Sequence, residues 1–146
     1  MLRILSFTKT GTELNEKLCK KLNNDFCTGY APKRILGRNE ELTYLPENIP
    51  EWIQEHWSVD DFLFIGAAGI AVRMIAPSVK DKYTDSAVLV MDEKAQHIIP
   101  LLSGHMGGAI PLAEQIADFT GAMPVITTAT DVQRKFAVDV FARDHY

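Results

Sequence analysis

Ser103, Gly104, His105, Gly107 and Gly108 lie together between the apolar run Ile98-Ile99-Pro100-Leu101-Leu102 and a helix-forming stretch. The glycines allow positive φ or close approach to the main chain, which leaves Ser103 and His105 as the polar side chains among them. An imidazole titrates in the range suited to general acid or base work, including activation of water for attack on an ester carbonyl. Ser103 could act as a nucleophile or hold substrate and loop by hydrogen bonds, and no nucleophile-elbow pattern surrounds it. Close packing of the following helix would also account for the glycines. The stretch has neither the Lys and Ser/Thr ending of a P-loop nor dinucleotide-binding glycine spacing.

Two further turns carry possible chemistry. Gly66-Ala67-Ala68-Gly69 would aim helix N–H groups at an anion, with Arg73 able to pair with a carboxylate or phosphate, or to remain a solvated helix charge. Lys82 and Asp85 offer polar contacts in the charged run that follows. Thr127-Thr128-Ala129-Thr130-Asp131 gathers hydroxyls and a carboxylate ahead of a final helix. Thr130 or Asp131 suits capping there, and Asp131 could alternatively orient the His105 ring.

The elements that must position these turns alternate between strand and helix. Residues 2–7, 25–31, 62–65, 87–91, 97–102 and 124–126 read as strands. Residues 12–24, 50–57, 67–75, 109–120 and 132–143 read as helices, the last carrying Phe136, Val140 and Phe141. Leu14, Leu18 and Leu22 give the first helix a buried stripe, and His56 reads as a surface or helix-end residue. Residues 32–41 read as an exposed connection. The turn at 92–96 is too short for a parallel crossover, so the flanking runs are expected to form an antiparallel hairpin. The expectation is one domain over residues 1–146, a three-layer α/β/α fold with a mostly parallel, mixed central sheet. In such folds ligands sit outside the carboxyl ends of the strands, and the three turns are expected to converge on that rim.

A chain that is 47% hydrophobic can bury one substantial core, and its net charge of −4 and pI near 5.5 leave no basic stripe for nucleic acid. Cys19 and Cys27 lack zinc-site spacing and read as reduced thiols, and no protein-bound metal is expected. No signal peptide or membrane-length apolar segment is visible, so a cytoplasmic location is expected.

Taken in order, GAAGIAVRMIAP from Gly66, DKYTDSAV from Asp81, IPLLSGHMGGA from Ile99 and PVITTATD from Pro124 resemble the amino-terminal region of the cobalt-precorrin-5A hydrolase family, the CbiG type, of anaerobic cobalamin biosynthesis. The resemblance implies hydrolysis of the ring A δ-lactone of cobalt-precorrin-5A, with release of acetaldehyde to give cobalt-precorrin-5B. It implies no cofactor of the protein's own, because cobalt arrives within the substrate. On such a substrate His105 and Asp131 would be catalytic. The many carboxylates would be held by Gly66, Gly69, Arg73, Lys82, Asp85, Ser103, Gly104, Gly107, Gly108, Thr127, Thr128 and Thr130. Family members continue into further domains, which implies a carboxy-terminal domain or a partner chain. The alternative is a non-catalytic corrinoid- or anion-binding domain that supports catalysis elsewhere. Three positions depart from the family pattern. Ile110 replaces a polar Asn and would remove a substrate contact, Ser86 replaces Pro and would loosen the preceding loop, and Arg134 replaces Gly at the start of the last helix.

Overall fold

The computed structural model describes residues 1–22, 25–38, 41–103 and 107–128. These form a seven-stranded sheet in the order β3-β2-β1-β4-β5-β6-β7. The strands are β1 (Leu2–Ser6), β2 (Cys27–Ala31), β3 (Thr43–Tyr44), β4 (Asp61–Ile65), β5 (Val88–Met91), β6 (His97–Leu102) and β7 (Met123–Pro124). The helices are α1 (Lys9–Lys21), the single turn α2 (Lys33–Leu36), α3 (Ile49–His56), α4 (Ala68–Ile75) and α5 (Ala109–Thr120). The α/β architecture and mixed sheet agree with the sequence. The single turn α2 and the edge strand β3 fall within or just beyond the stretch read as an exposed connection. Leu36 and Leu42 anchor this region, being buried with Ala31 in a small satellite core.

The first helix begins earlier than its leucine stripe indicates. Thr8 caps it, its side chain accepting the Gly11 N–H, so the glycine turn is helical. Gly11 is buried there, and a Cβ on it would lie 3.3 Å from Ile65 Cγ2, so the missing side chain lets α1 settle onto the sheet. Asn48 caps α3 in the same way, accepting the Glu51 N–H at 3.1 Å.

Alternation along β4 divides the core. Leu63 and Ile65 join Leu2, Ile4, Leu89, Met91 and Ile98 under α1 and α5, whereas Phe62 and Phe64 join Leu5, Val88 and Val90 under α3 and α4. Complete burial of Phe62, Phe64, Leu63 and Ile65 explains why β4 reads as a continuous apolar run rather than an alternating one.

β1, β2, β3, β4 and β5 are parallel neighbours, but β5 and β6 pair antiparallel, with Val88 opposite Leu102 and Met91 opposite Ile98. β7 then pairs parallel to β6. The hairpin agrees with the sequence. Its consequence corrects the expected convergence of the three turns, because reversal at 92–96 sends β6 and β7 toward the rim where β1, β4 and β5 begin. The chain after residue 128, including the helix read over 132–143, lies outside the described residues.

Candidate functional site

The Gly66-Ala67-Ala68-Gly69 turn sits at the carboxyl end of β4, level with Met91 and Ile98, whereas Ser103 follows Leu102, which is level with Val88 at the start of β5. The two turns occupy opposite rims, roughly 15 Å apart for a five-residue strand at ~3.3 Å per residue. At the first rim, Ala67, Ala68 and Gly69 are exposed, and Ala67 provides no side-chain cap. The Arg73 guanidinium folds back along α4, so that a Cβ on Gly69 would lie 3.6 Å from its Nη1. Arg73 therefore accompanies the Gly66 turn and not the glycine loop that follows β6.

At the opposite rim, Ser103 has φ of 58° and Gly108 has φ of 83°, a left-handed pair that turns the chain from β6 into α5. The Ser103 carbonyl accepts the Ala109 N–H at 3.2 Å, which ties the end of the strand to the start of the helix. A Cβ on Gly107 would lie 2.7 Å from Ser103 Cβ and 3.3 Å from the Ala87 nitrogen, so this glycine is required by contact. No side chain caps α5, and Ser103 Oγ is buried without a hydrogen-bond partner among the described residues. Such a turn presents main-chain N–H groups in place of side chains. Gly104 and His105 lie outside the described residues, as do Thr130 and Asp131. Thr127 and Thr128 follow β7, which runs parallel to β6 and so heads for this same rim. Ile110, the departure expected to cost a contact, is buried.

Lys82 and Asp85 lie in the loop that leads into β5 at this rim. Lys82 is exposed, with its ammonium 5.2 Å from the Tyr83 ring centroid. Asp85 is buried, and its carboxylate accepts Trp57 Nε1–H at 2.9 Å and the Lys80 N–H at 3.0 Å. Its carboxylate thus fixes the Lys82 loop against α3. Ser86 acts likewise. Its Oγ accepts the Ser58 N–H at 2.8 Å, pinning a residue whose φ is 67°, so the hydroxyl tightens the connection that the loss of proline was expected to loosen. Among the described residues, no group of three or more His, Cys, Asp or Glu could hold a metal ion.

Two carboxyls outside the three turns, Asp60 and Asp61, stand at the start of β4. Asp60 is buried on the α3 face, where it takes Arg3 Nε and Nη2 at 3.2 and 3.0 Å, His56 Nδ1 at 3.0 Å and the chain amino group at 3.3 Å. Burial pushes its pKa up, but the Arg3 bonds and charge, with the amino group and His56, outweigh that and hold it below the ordinary carboxylate range. Asp61 faces the other side, where its Oδ1 accepts the Ala87 N–H at 2.9 Å. Burial pushes the Asp61 carboxyl up, beyond what the Ala87 bond and the amino-terminal charge offset. An acidic doublet at the mouth of an apolar strand was the signal available in the sequence. His56, read as a helix-end residue, is indeed in the last turn of α3 and is bonded there to Asp60.

The family model described as "Cobalamin synthesis G N-terminal" matches residues 51–131, more than half of the chain. The cobalt-precorrin-5A hydrolase of Salmonella typhimurium is 59% identical over 80 residues, covering 55% of this chain and 23% of that protein. The cobalt-precorrin-5A hydrolase of Priestia megaterium is 49% identical over 86 residues, covering 59% of this chain and 23% of that protein. The matched segment thus spans about a quarter of the length of these curated relatives. A crystal structure of a cobalamin biosynthesis protein G homolog from Sulfolobus solfataricus superposes with a TM-score of 0.66 at 26% identity, covering 86% of this chain and 36% of that one. The strand carrying the Gly66 turn, the Lys82 loop and the β6–α5 turn all fall inside the matched residues, and the chain belongs to the CbiG amino-terminal family of cobalamin biosynthesis.

Proposed function

We propose that this chain takes part in hydrolysis of the ring A δ-lactone of cobalt-precorrin-5A, with release of acetaldehyde to give cobalt-precorrin-5B. The observation that carries this reading is the 59% identity to the Salmonella cobalt-precorrin-5A hydrolase over 80 residues, beside a family match over residues 51–131 that includes turns of both rims. The geometry around Gly107 and Gly108 supports it. A turn that excludes side chains and leaves a helix start uncapped suits the oxyanion that forms when water adds to a lactone carbonyl.

In the proposed reaction the water oxygen bonds to the carbonyl carbon while His105 takes its proton, with Asp131 orienting the ring. Collapse breaks the ring C–O bond and yields a carboxylate and a hydroxyl. Cleavage of the adjacent carbon–carbon bond then releases acetaldehyde, the electron pair staying on the macrocycle and being protonated there. Main-chain groups at Ser103, Gly104, Gly107 and Gly108 would receive the developing charge. Lys82, Thr127, Thr128 and Thr130 would hold peripheral carboxylates, and Asp85 would act by fixing the Lys82 loop. Gly66, Gly69 and Arg73 would form a separate anion contact at the far rim.

A second reading is favoured by the matched segment's 23% share of its relatives. It makes this a corrinoid-binding domain whose chemistry is completed elsewhere. Anaerobic incubation with cobalt-precorrin-5A decides between them. Acetaldehyde release by this chain supports the first, calorimetric binding without release supports the second, and neither binding nor release removes both.

A further inference from the structure

We infer that Asp61 is a proton-transfer residue at the rim formed by Ser103 and Gly107, serving a substrate seated over the hollow between α1, β1 and α5. This deepens the proposed hydrolysis and rests on it. The hollow has a volume of about 500 Å³, and Asp61 lines it together with Leu2, Leu22, Phe26, Lys21 and Leu112. Its lining mixes apolar and polar side chains, and Leu112 and Gln115 of α5 form part of it.

The placement follows from strand alternation. Asp61 shares a face with Leu63 and Ile65, whereas Asp60 falls on the face of Phe62 and Phe64, so the two neighbouring carboxyls enter different surroundings. Asp60 is consumed by Arg3, His56 and the amino terminus. Asp61 makes no side-chain ion pair among the described residues, and its carboxylate accepts the Ala87 N–H. That N–H joins Asp61 to the glycine turn, because it lies 2.9 Å from Asp61 Oδ1 and 3.3 Å from where a Gly107 Cβ would stand.

Burial lifts the Asp61 carboxyl while the Arg3 cluster depresses Asp60. Two titratable groups driven apart by their environments is the pattern that separates a working acid or base from a structural carboxylate. The charges around Asp61 are the chain amino group, Asp60, Lys21 and Asp25. With His105 activating the water for lactone opening, ionised Asp61 would take the proton of the hydroxyl that opening leaves. The oxygen electron pair then forms the aldehyde carbonyl as the adjacent carbon–carbon bond breaks with its pair to the macrocycle, and Asp61 returns the proton to that macrocycle carbon. The carboxyl ends as it began.

The test compares wild type with Asp61→Asn, which keeps the oxygen that accepts the Ala87 N–H. Acetaldehyde release from cobalt-precorrin-5A is followed against pH, and binding of the same compound by calorimetry. The expected result is a rate loss of at least about a hundredfold with Kd changed less than about threefold, and disappearance of the acid-side rise of rate with pH. Asp61→Glu should recover part of the rate with a displaced pH limb, and it decides the matter if the Asn variant fails to fold. An Asn variant with wild-type rate and pH profile overturns the role of Asp61 alone. Wild-type binding without turnover overturns it in favour of the non-catalytic reading, and a wild type that neither binds nor turns over removes the proposed function together with this inference.

Discussion

Trp57 Nε1 donates to Asp85 Oδ1 at 2.9 Å, across a gap of 28 residues, and the same carboxylate receives the Lys80 N–H. The indole also stacks on Phe62, with ring centroids 5.9 Å apart. One buried carboxylate therefore fastens the loop before β5 to the end of α3, and Ser86 adds a second fastening through Ser58.

Asp85→Ala strands the buried indole N–H. The expected loss is about 1–3 kcal/mol, since an unsatisfied buried donor costs its desolvation. The urea midpoint should fall, while Lys82→Ala leaves it unchanged within about 0.5 kcal/mol. Equal midpoints for Asp85→Ala and Lys82→Ala would show that the loop is not held in this way.

Gly107 and Gly108 differ in what they forbid. Gly107→Ala places a Cβ 2.7 Å from Ser103 Cβ and 3.0 Å from Ser103 O, so the turn must move, with an overpacking cost of ~1–3 kcal/mol. Gly108→Ala meets nothing within 4 Å, but at φ of 83° it pays a backbone penalty of ~1–2 kcal/mol. Amide hydrogen exchange should therefore accelerate at Ala87 and Ala109 in the Gly107 variant and remain near wild type at Ala87 in the Gly108 variant.

The two carboxyls at the start of β4 give stability opposite slopes with pH. Asp60 has a folded pKa below its unfolded value near 3.9, so its contribution is present above that value and is lost as pH falls through the folded one. Asp61 has a raised folded pKa, so its contribution grows as pH falls through that value. Arg3→Leu should cost on the order of 2 kcal/mol at pH 7, and the cost should shrink as the pH falls through the depressed folded pKa of Asp60. Chemical denaturation followed from neutral into acid pH measures the change, and a loss that stays constant throughout would detach Arg3 from Asp60.

Much of the architecture was legible because local patterns suffice for it. Apolar strands at 62–65 and 87–91, the leucine stripe of α1, and Pro111 with Gly121 bounding α5 are signals carried by neighbours in the chain. The hairpin was legible too, since 92–96 cannot hold a crossover helix. Its effect on the rims was not, because which ends of distant strands coincide depends on pairing partners and not on any single segment. The short β3 escaped notice for a related reason. Two residues carry no period, and their strand exists only through Tyr30 and Ala31 of β2.

The candidate site divides along the same line. Composition and spacing were enough to single out a turn built from glycines after β6, and contact at Gly107 gives the reason for one of them. The Gly66 set was expected on the same rim as that turn because both follow strands of an alternating α/β chain, although one strand length separates them. Asp85 reads in the sequence as a polar contact for a ligand, whereas Trp57, 28 residues away, takes its carboxylate, and the acidic doublet at 60–61 is separated only by strand alternation, which aims Asp61 away from Arg3. The order of residues thus determined the longer elements and the family, because these rest on side-chain type and short-range periodicity. Only the tertiary structure decided which turns share a rim and which carboxyls are spent internally, because strand direction and burial are set by partners far away in the chain.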